Sequence, residues 1–162
     1  MFVHPLTRHW IAAAIFCVAV AVALPAAELA AGDAVPAFSA KDQFGKEFKF
    51  APGPKFLLLG FDMNAGKAAN QKLANLGAGG LERYGAAYVM DIHTMPAVAR
   101  VFALPKMRKY PHRIILAETA DMLATFPHQS ENITVFVLTP AGKIREIRYW
   151  NPVTEATATV FN

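Results

Sequence analysis

The feature that most constrains this chain is Phe56-Leu57-Leu58-Leu59, a short apolar run held between Pro54 and Gly60 and followed at once by a helix-forming segment, Asp62 to Asn70. A run of this length between breakers suits a strand covered on both faces. Such a strand needs structure packed above and below it, so the rest of the chain must supply covering layers for a partly parallel sheet. In open α/β sheets, chemistry sits where the carboxyl end of a central strand meets the next helix. The turn from Phe61 to Lys67 is therefore the first place to look for a site, and it contains no cysteine, histidine or serine.

Ahead of this unit lies an apolar leader. Met1 to Trp10 carries Arg8 and no acid, Ile11 to Leu24 is unbroken apolar sequence, and Pro25-Ala26-Ala27 opens an alanine-rich stretch. A membrane-spanning helix needs roughly 20 apolar residues, so a cleaved secretory signal over residues 1–27 is expected instead of an anchor. The cut is expected between Ala23 and Ala31, with small residues correctly spaced at Ala21 and Ala23 and more loosely near Ala26. A single domain, residues 32–162, would then reside in the periplasm or outside the cell, touching membrane only through an uncleaved leader. The lone cysteine, Cys17, lies inside the leader, and Ala14-Ile15-Phe16 before it match lipoprotein processing poorly. The mature chain would hold no thiol, which excludes disulfide formation and thiol redox chemistry. The formal charge of +4 falls to +3 when Arg8 is lost, too small an excess to suggest nucleic acid as a partner.

Past the leader, Ser39 to Phe48 reads as two short strands around a turn from Asp42 to Gly45. Ala69, Leu73 and Leu76 give the helix after the central strand one apolar face, and Gly77, Gly79 and Gly80 end it. Ala86 to Ile92 reads as a second buried strand. Thr94 and Pro96 open a helix made amphipathic by Val98, Val101 and Phe102 and stopped by Pro105. Ile114 to Leu116 predicts a short strand, Asp121 to Phe126 a helical turn, and Asn132 to Leu138 a strong strand. Thr139-Pro140-Ala141-Gly142 predicts a tight turn into Lys143 to Trp150. Asn151 as cap and Pro152 at the first helical position predict a terminal helix to the chain end.

This order of βαβ then ββα resembles the thioredoxin-like superfamily, in particular its peroxiredoxin and redoxin branch. Gly32-x-x-Val35-Pro36-x-Phe38 with Asp42-x-x-Gly45-Lys46 is similar to that branch's opening hairpin. Tyr110-Pro111 before Ile114-Ile115-Leu116, and Thr134 to Ile144, resemble its later strands. The resemblance implies an α/β three-layer sandwich: a central mixed sheet, flanking helices and an N-terminal β-hairpin. It also implies a reactive cysteine just after the central strand, where Asp62 to Asn70 supplies none, and a cis-proline where Ile133 stands. Neither disulfide exchange nor thiol peroxidase activity carries over, and a trans bond is expected at Ile133. Short exported chains resembling this one are also labelled flavin-containing dehydrogenases, which would imply bound flavin. No glycine-rich dinucleotide loop joins a strand to a helix here, because Gly77-Ala78-Gly79-Gly80 follows a helix.

The fold would gather Asp62, Asn64 and Lys67 with Asp91 and His93 from the neighbouring strand, and His128 from the loop before Thr134. This set is the candidate binding face. Asp62, Asp91 and His93 could alternatively hold a divalent metal or serve a non-thiol enzyme. Against that stands a plain structural role, Asp62 as helix cap and His93 as loop residue. Lys106, Arg108, Lys109 and Arg113 form a candidate patch for an anionic partner, or a solvated surface after a helix end. The reading favoured is a cysteine-free thioredoxin-like protein that binds an envelope protein or a small ligand and needs no metal or cofactor.

Overall fold

The computed structural model describes residues 27–162. The leader, Cys17 and the part of the cleavage window before Ala27 lie outside the described residues. Seven strands run β1 Ser39–Asp42, β2 Glu47–Lys49, β3 Phe56–Gly60, β4 Ala86–Asp91, β5 Ile115–Ala117, β6 Ile133–Leu138 and β7 Ile144–Trp150. They form one sheet in the order β2-β1-β5-β4-β3-β6-β7. β3 pairs in parallel with β4, and β4 with β5; every other neighbouring pair is antiparallel.

Two parallel crossovers carry the helices α1 Met63–Ala74, α2 Gly80–Arg83 and α3 Ala97–Met107. Both move the same way along the sheet, and right-handed crossovers then put their helices on one face. The strands confirm this through their alternation. Leu58, Tyr88, Met90, Leu116, Ile133 and Val135 point into the cluster under α1 and α2. Leu57, Leu59, Val89, Ile115, Phe136 and Leu138 point the other way. β3 is buried on both sides, with Leu57, Leu58 and Leu59 all at 0 % exposure. Each such leucine is worth about 2 to 3 kcal/mol of burial, which fixes β3 at the centre.

Among the described residues, the second face is covered without an α-helix. Val35, Phe38 and Phe50 pack there with Leu123 of the 3-10 turn Ala120–Leu123 and with Phe126 just after it. The three layers are present, but one is built from the hairpin flank and a turn. The chain's entry is stitched down ahead of Gly32: Leu29 N–H donates to Thr125 O at 2.7 Å, and Gly32 N–H to Ile144 O at 2.8 Å.

Three helix boundaries differ from expectation. Thr94 does not cap α3: the cap position falls to Pro96, which offers no side-chain hydrogen bond, and the helix begins at Ala97. Pro105 does not stop α3, which continues to Met107 because Arg108 N–H bonds back to Leu104 O at 3.0 Å, past the missing proline donor. The terminal helix does not form. Asn151 Oδ1 does accept from Val153 N–H at 2.9 Å, yet only one turn and a 3-10 segment, Thr157–Val160, follow. Val153, Thr154, Thr157, Thr159 and Val160 are β-branched and disfavour a helix too short to propagate. Val160 still packs into the α1 side of the core. No peptide bond among the described residues is cis, Ile133 included. No helix among them is long and apolar enough to cross a membrane.

Candidate functional site

The carboxyl ends of β3 and β4 lie side by side, with Gly60 in register with Met90 and, across the sheet, with Ile133. Asp62 leaves β3 in an extended conformation and caps α1. Its Oδ1 accepts from Asn64 N–H at 2.7 Å and Ala65 N–H at 3.0 Å. The helix start, where a thioredoxin-like protein stabilises a thiolate, is thus filled by the chain's own carboxylate.

Asp91 ends β4. Its Oδ1 accepts from His93 N–H at 2.9 Å and lies 2.6 Å from His93 Nδ1. A carboxylate can only accept, so Nδ1 carries the proton of this bond. His128 reaches the same sheet end through a stacked contact with Phe61, ring centroids 4.7 Å apart. The structure therefore pairs Asp91 with His93 and occupies Asp62 elsewhere. Among the described residues, no three His, Cys, Asp or Glu side chains converge to hold a metal, so the proposed Asp62, Asp91, His93 donor set is not assembled.

Between α1, α3 and the end of β4 lies a cavity of about 520 Å³. Lys67 and Asp91 of the candidate face line it, with Phe61, Met63, Met90 and Met95 as part of its apolar wall. Phe102, Ala103, Lys106 and Met107 close the α3 side, and Asn70 and Tyr110 the inner end. The pattern Val98, Val101, Phe102 is helical as expected, but it does not face the core: these side chains are 73 %, 67 % and 67 % exposed.

Gly60 and Gly66 make the floor possible. A Cβ on Gly60 would come within 2.5 Å of Met90 Sδ, and one on Gly66 within 2.2 Å of Met90 Cε. Tyr88 hydroxyl donates to Met90 Sδ at 2.8 Å, and burial pushes that phenol's pKa up. Behind Tyr110, which stacks on it, His112 is buried at 2 % exposure. Its Nε2 donates to Asn70 Oδ1 at 2.9 Å, leaving Nδ1 without a partner. Burial lowers the His112 pKa from 6.5 to about 4, against a weak opposing pull from Glu82, so the ring is neutral near pH 7.

The basic segment separates into different roles. Arg108 Nε donates to Gln43 O at 2.8 Å. Arg113 Nε donates to Asp42 Oδ2 and Nη2 to Glu47 O, both at 2.9 Å, with the guanidinium 5.3 Å from the Phe48 ring centre. Burial raises the Asp42 pKa, but N–H bonds from Lys46 and Phe44 together with Arg113 outweigh it and hold the carboxyl below its ordinary value. Both arginines thus fasten the β1–β2 hairpin to the body. Lys106 belongs to the cavity and Lys109 stays on the surface.

Sequence reasoning missed the methionine floor, Gly66, Asn70 and His112. A glycine inside a helix was the available signal, since it implies close approach by another side chain. The methionines and His112 carry no such mark, because their meeting depends on three separate segments.

No family model matches the sequence, and no curated relative matches it either. Solved structures do. The chain is similar to the thioredoxin domain of a thiol-disulfide oxidoreductase from Bacteroides vulgatus, with TM-score 0.53, 16% identity, and coverage of 83% of this chain and 100% of that one. A peroxiredoxin-like protein from Aquifex aeolicus gives TM-score 0.54 at 14% identity, covering 83% of this chain and 84% of its own. A candidate thiol:disulfide interchange protein from Chlorobium tepidum gives TM-score 0.55 at 14% identity, covering 78% and 90%. At such identities the likeness speaks for architecture: the chain has a thioredoxin-like α/β fold, built on a sequence whose one cysteine, Cys17, precedes the fold.

Proposed function

We propose that this protein is an exported, thiol-free member of the thioredoxin-like fold that acts as a binding or accessory protein of the cell envelope. Its binding face is the cavity between α1 and α3 together with the exposed stripe of α3. One observation carries the reading: the place where this fold does its chemistry is an open, methionine-rich and aromatic cavity of about 520 Å³ with no thiol in its wall. Concave, mostly apolar sites with a few polar groups are the usual form of a binding pocket. Asp62 supports the same reading, because its carboxylate takes the helix N-terminal N–H groups that would otherwise activate a nucleophile.

The test is site-specific photocrosslinking in intact cells. A photoreactive side chain at Phe102 is expected to trap a defined envelope component, and the same group at Lys49, on the far edge of the sheet, to trap none. Equal yields from both positions, or capture by the group at Phe102 that survives substitutions across Asp62 to Lys67, would remove this face as the interface.

A further inference from the structure

We propose that the α1–α3 cavity takes an amphiphilic anion, a molecule with an apolar body and a free carboxylate head; this rests on the binding reading above and names its ligand class. The apolar part of the site is extensive, and its character is adaptable. Phe61, Met90, Met95, Phe102 and Met107 share the lining, and unbranched thioethers fit irregular apolar shapes better than branched side chains do. The polar part is asymmetric in charge. Lys67 on α1 and Lys106 on α3 both line the cavity, and among the described residues neither ammonium has a hydrogen bond or ion pair. Asp91, the one acid in the lining, already accepts twice from His93. A ligand entering the cavity therefore meets an apolar wall and two uncommitted cations on opposite sides, while the only anion has its own partner. That combination favours a carboxylate head over an ammonium head and over a wholly apolar guest.

The experiment is calorimetric titration of the processed protein, purified from the envelope fraction, with decanoate, decanol and decyltrimethylammonium, each below its micelle concentration. Decanoate is expected to bind one per chain and about tenfold more tightly than either analogue, the size expected for two partly screened charge contacts. Raising the salt concentration should narrow that gap. Lys67→Gln with Lys106→Gln, both surface changes, should bring decanoate down to the level of decanol. Ala103→Trp, which fills the cavity from α3, should abolish binding of both.

Three results would overturn the inference: no decanoate binding, equal binding of the cationic analogue, or decanoate affinity unmoved by the double lysine change. Binding only to vesicles of anionic lipid would also overturn it and would identify a surface interaction instead. Loss of the ligand class alone, with crosslinking at Phe102 intact, leaves the binding reading standing; loss of both removes the two together.

Discussion

α1 and α3 have nearly the same length, 12 and 11 residues, and cover the same face of the sheet, yet α1 buries Ala65, Gly66, Ala69, Asn70 and Leu73 while α3 buries nothing. The buried set of α1 is mostly small, so its backbone approaches β3 and β4 closely and Leu73 drives into the core. α3 meets the core only through partly buried Leu104 and Met107, and it turns Val98, Val101 and Phe102 to solvent. Its start differs as well: Asp62 caps α1 with a side chain, whereas Pro96 offers α3 none. An apolar period establishes that a helix has a face; it does not establish what that face meets. One helix here is architecture, and the other is a wall standing off from the sheet with a cavity behind it.

This contrast can be broken most directly by truncation. Leu73→Ala should lower stability by about 3 kcal/mol in urea unfolding, through lost burial and the cavity left behind. Acid should act next, and on the α1 side. The folded His112 pKa, about 4, lies below the unfolded 6.5, so the unfolded chain binds the extra proton between these values and stability rises with pH across that window. Up to about 3 kcal/mol present above pH 6.5 should be gone by pH 4, and His112→Gln should flatten that slope in unfolding curves recorded at successive pH values. Asp62→Ala should cost about 1 kcal/mol by uncapping α1 and leaving it as poorly started as α3. Gly66→Ala should change stability by less than about 1 kcal/mol, since helix propensity gained offsets the contact with the flexible end of Met90. Its displaced thioether should nevertheless shrink the cavity, measurable as weaker decanoate binding. Phe102→Ser should change stability by less than about 0.5 kcal/mol, as for other exposed side chains. A loss above about 1.5 kcal/mol there would mean that α3 is packed like α1, and the contrast would fail.

Where sequence and structure agree, the cause is local. Pro54, Gly60 and three consecutive leucines carry enough information to place β3, and Asp62 announces the cap of α1 by its position alone. Thr139 to Gly142 likewise predicts the turn between β6 and β7, where Gly142 has φ of 76°. The failures are non-local or marginal. Val98, Val101 and Phe102 have the period of a core face, and only the standing of α3 off the sheet turns them outward. Pro105 looks like a stop, yet one lost donor is too small a penalty once the next turn finds Leu104 O. Asn151 behaves as the expected cap but heads a segment too β-branched to continue. Of the candidate face, Asp91 and His93 were legible as neighbours at the end of β4 and Lys67 from the helix start after β3, but the bond between Asp91 and His93 was not. Arg108 and Arg113 were legible only as charge, because their acceptors on Gln43, Asp42 and Glu47 lie far away in sequence.

The stitched entry of the chain also sets an order of events during synthesis. Gly32 N–H needs Ile144 O, Val35 N–H needs Gly142 O, and Ile144 N–H returns to Asp33 O. The segment from Leu29 to Val35 is thus among the first made of the fold and among the last to find its partners. Thr125 O becomes available to Leu29 first, and the bonds of Gly32, Asp33 and Val35 wait until Gly142 and Ile144 have been synthesised, since contacts so distant in sequence form late.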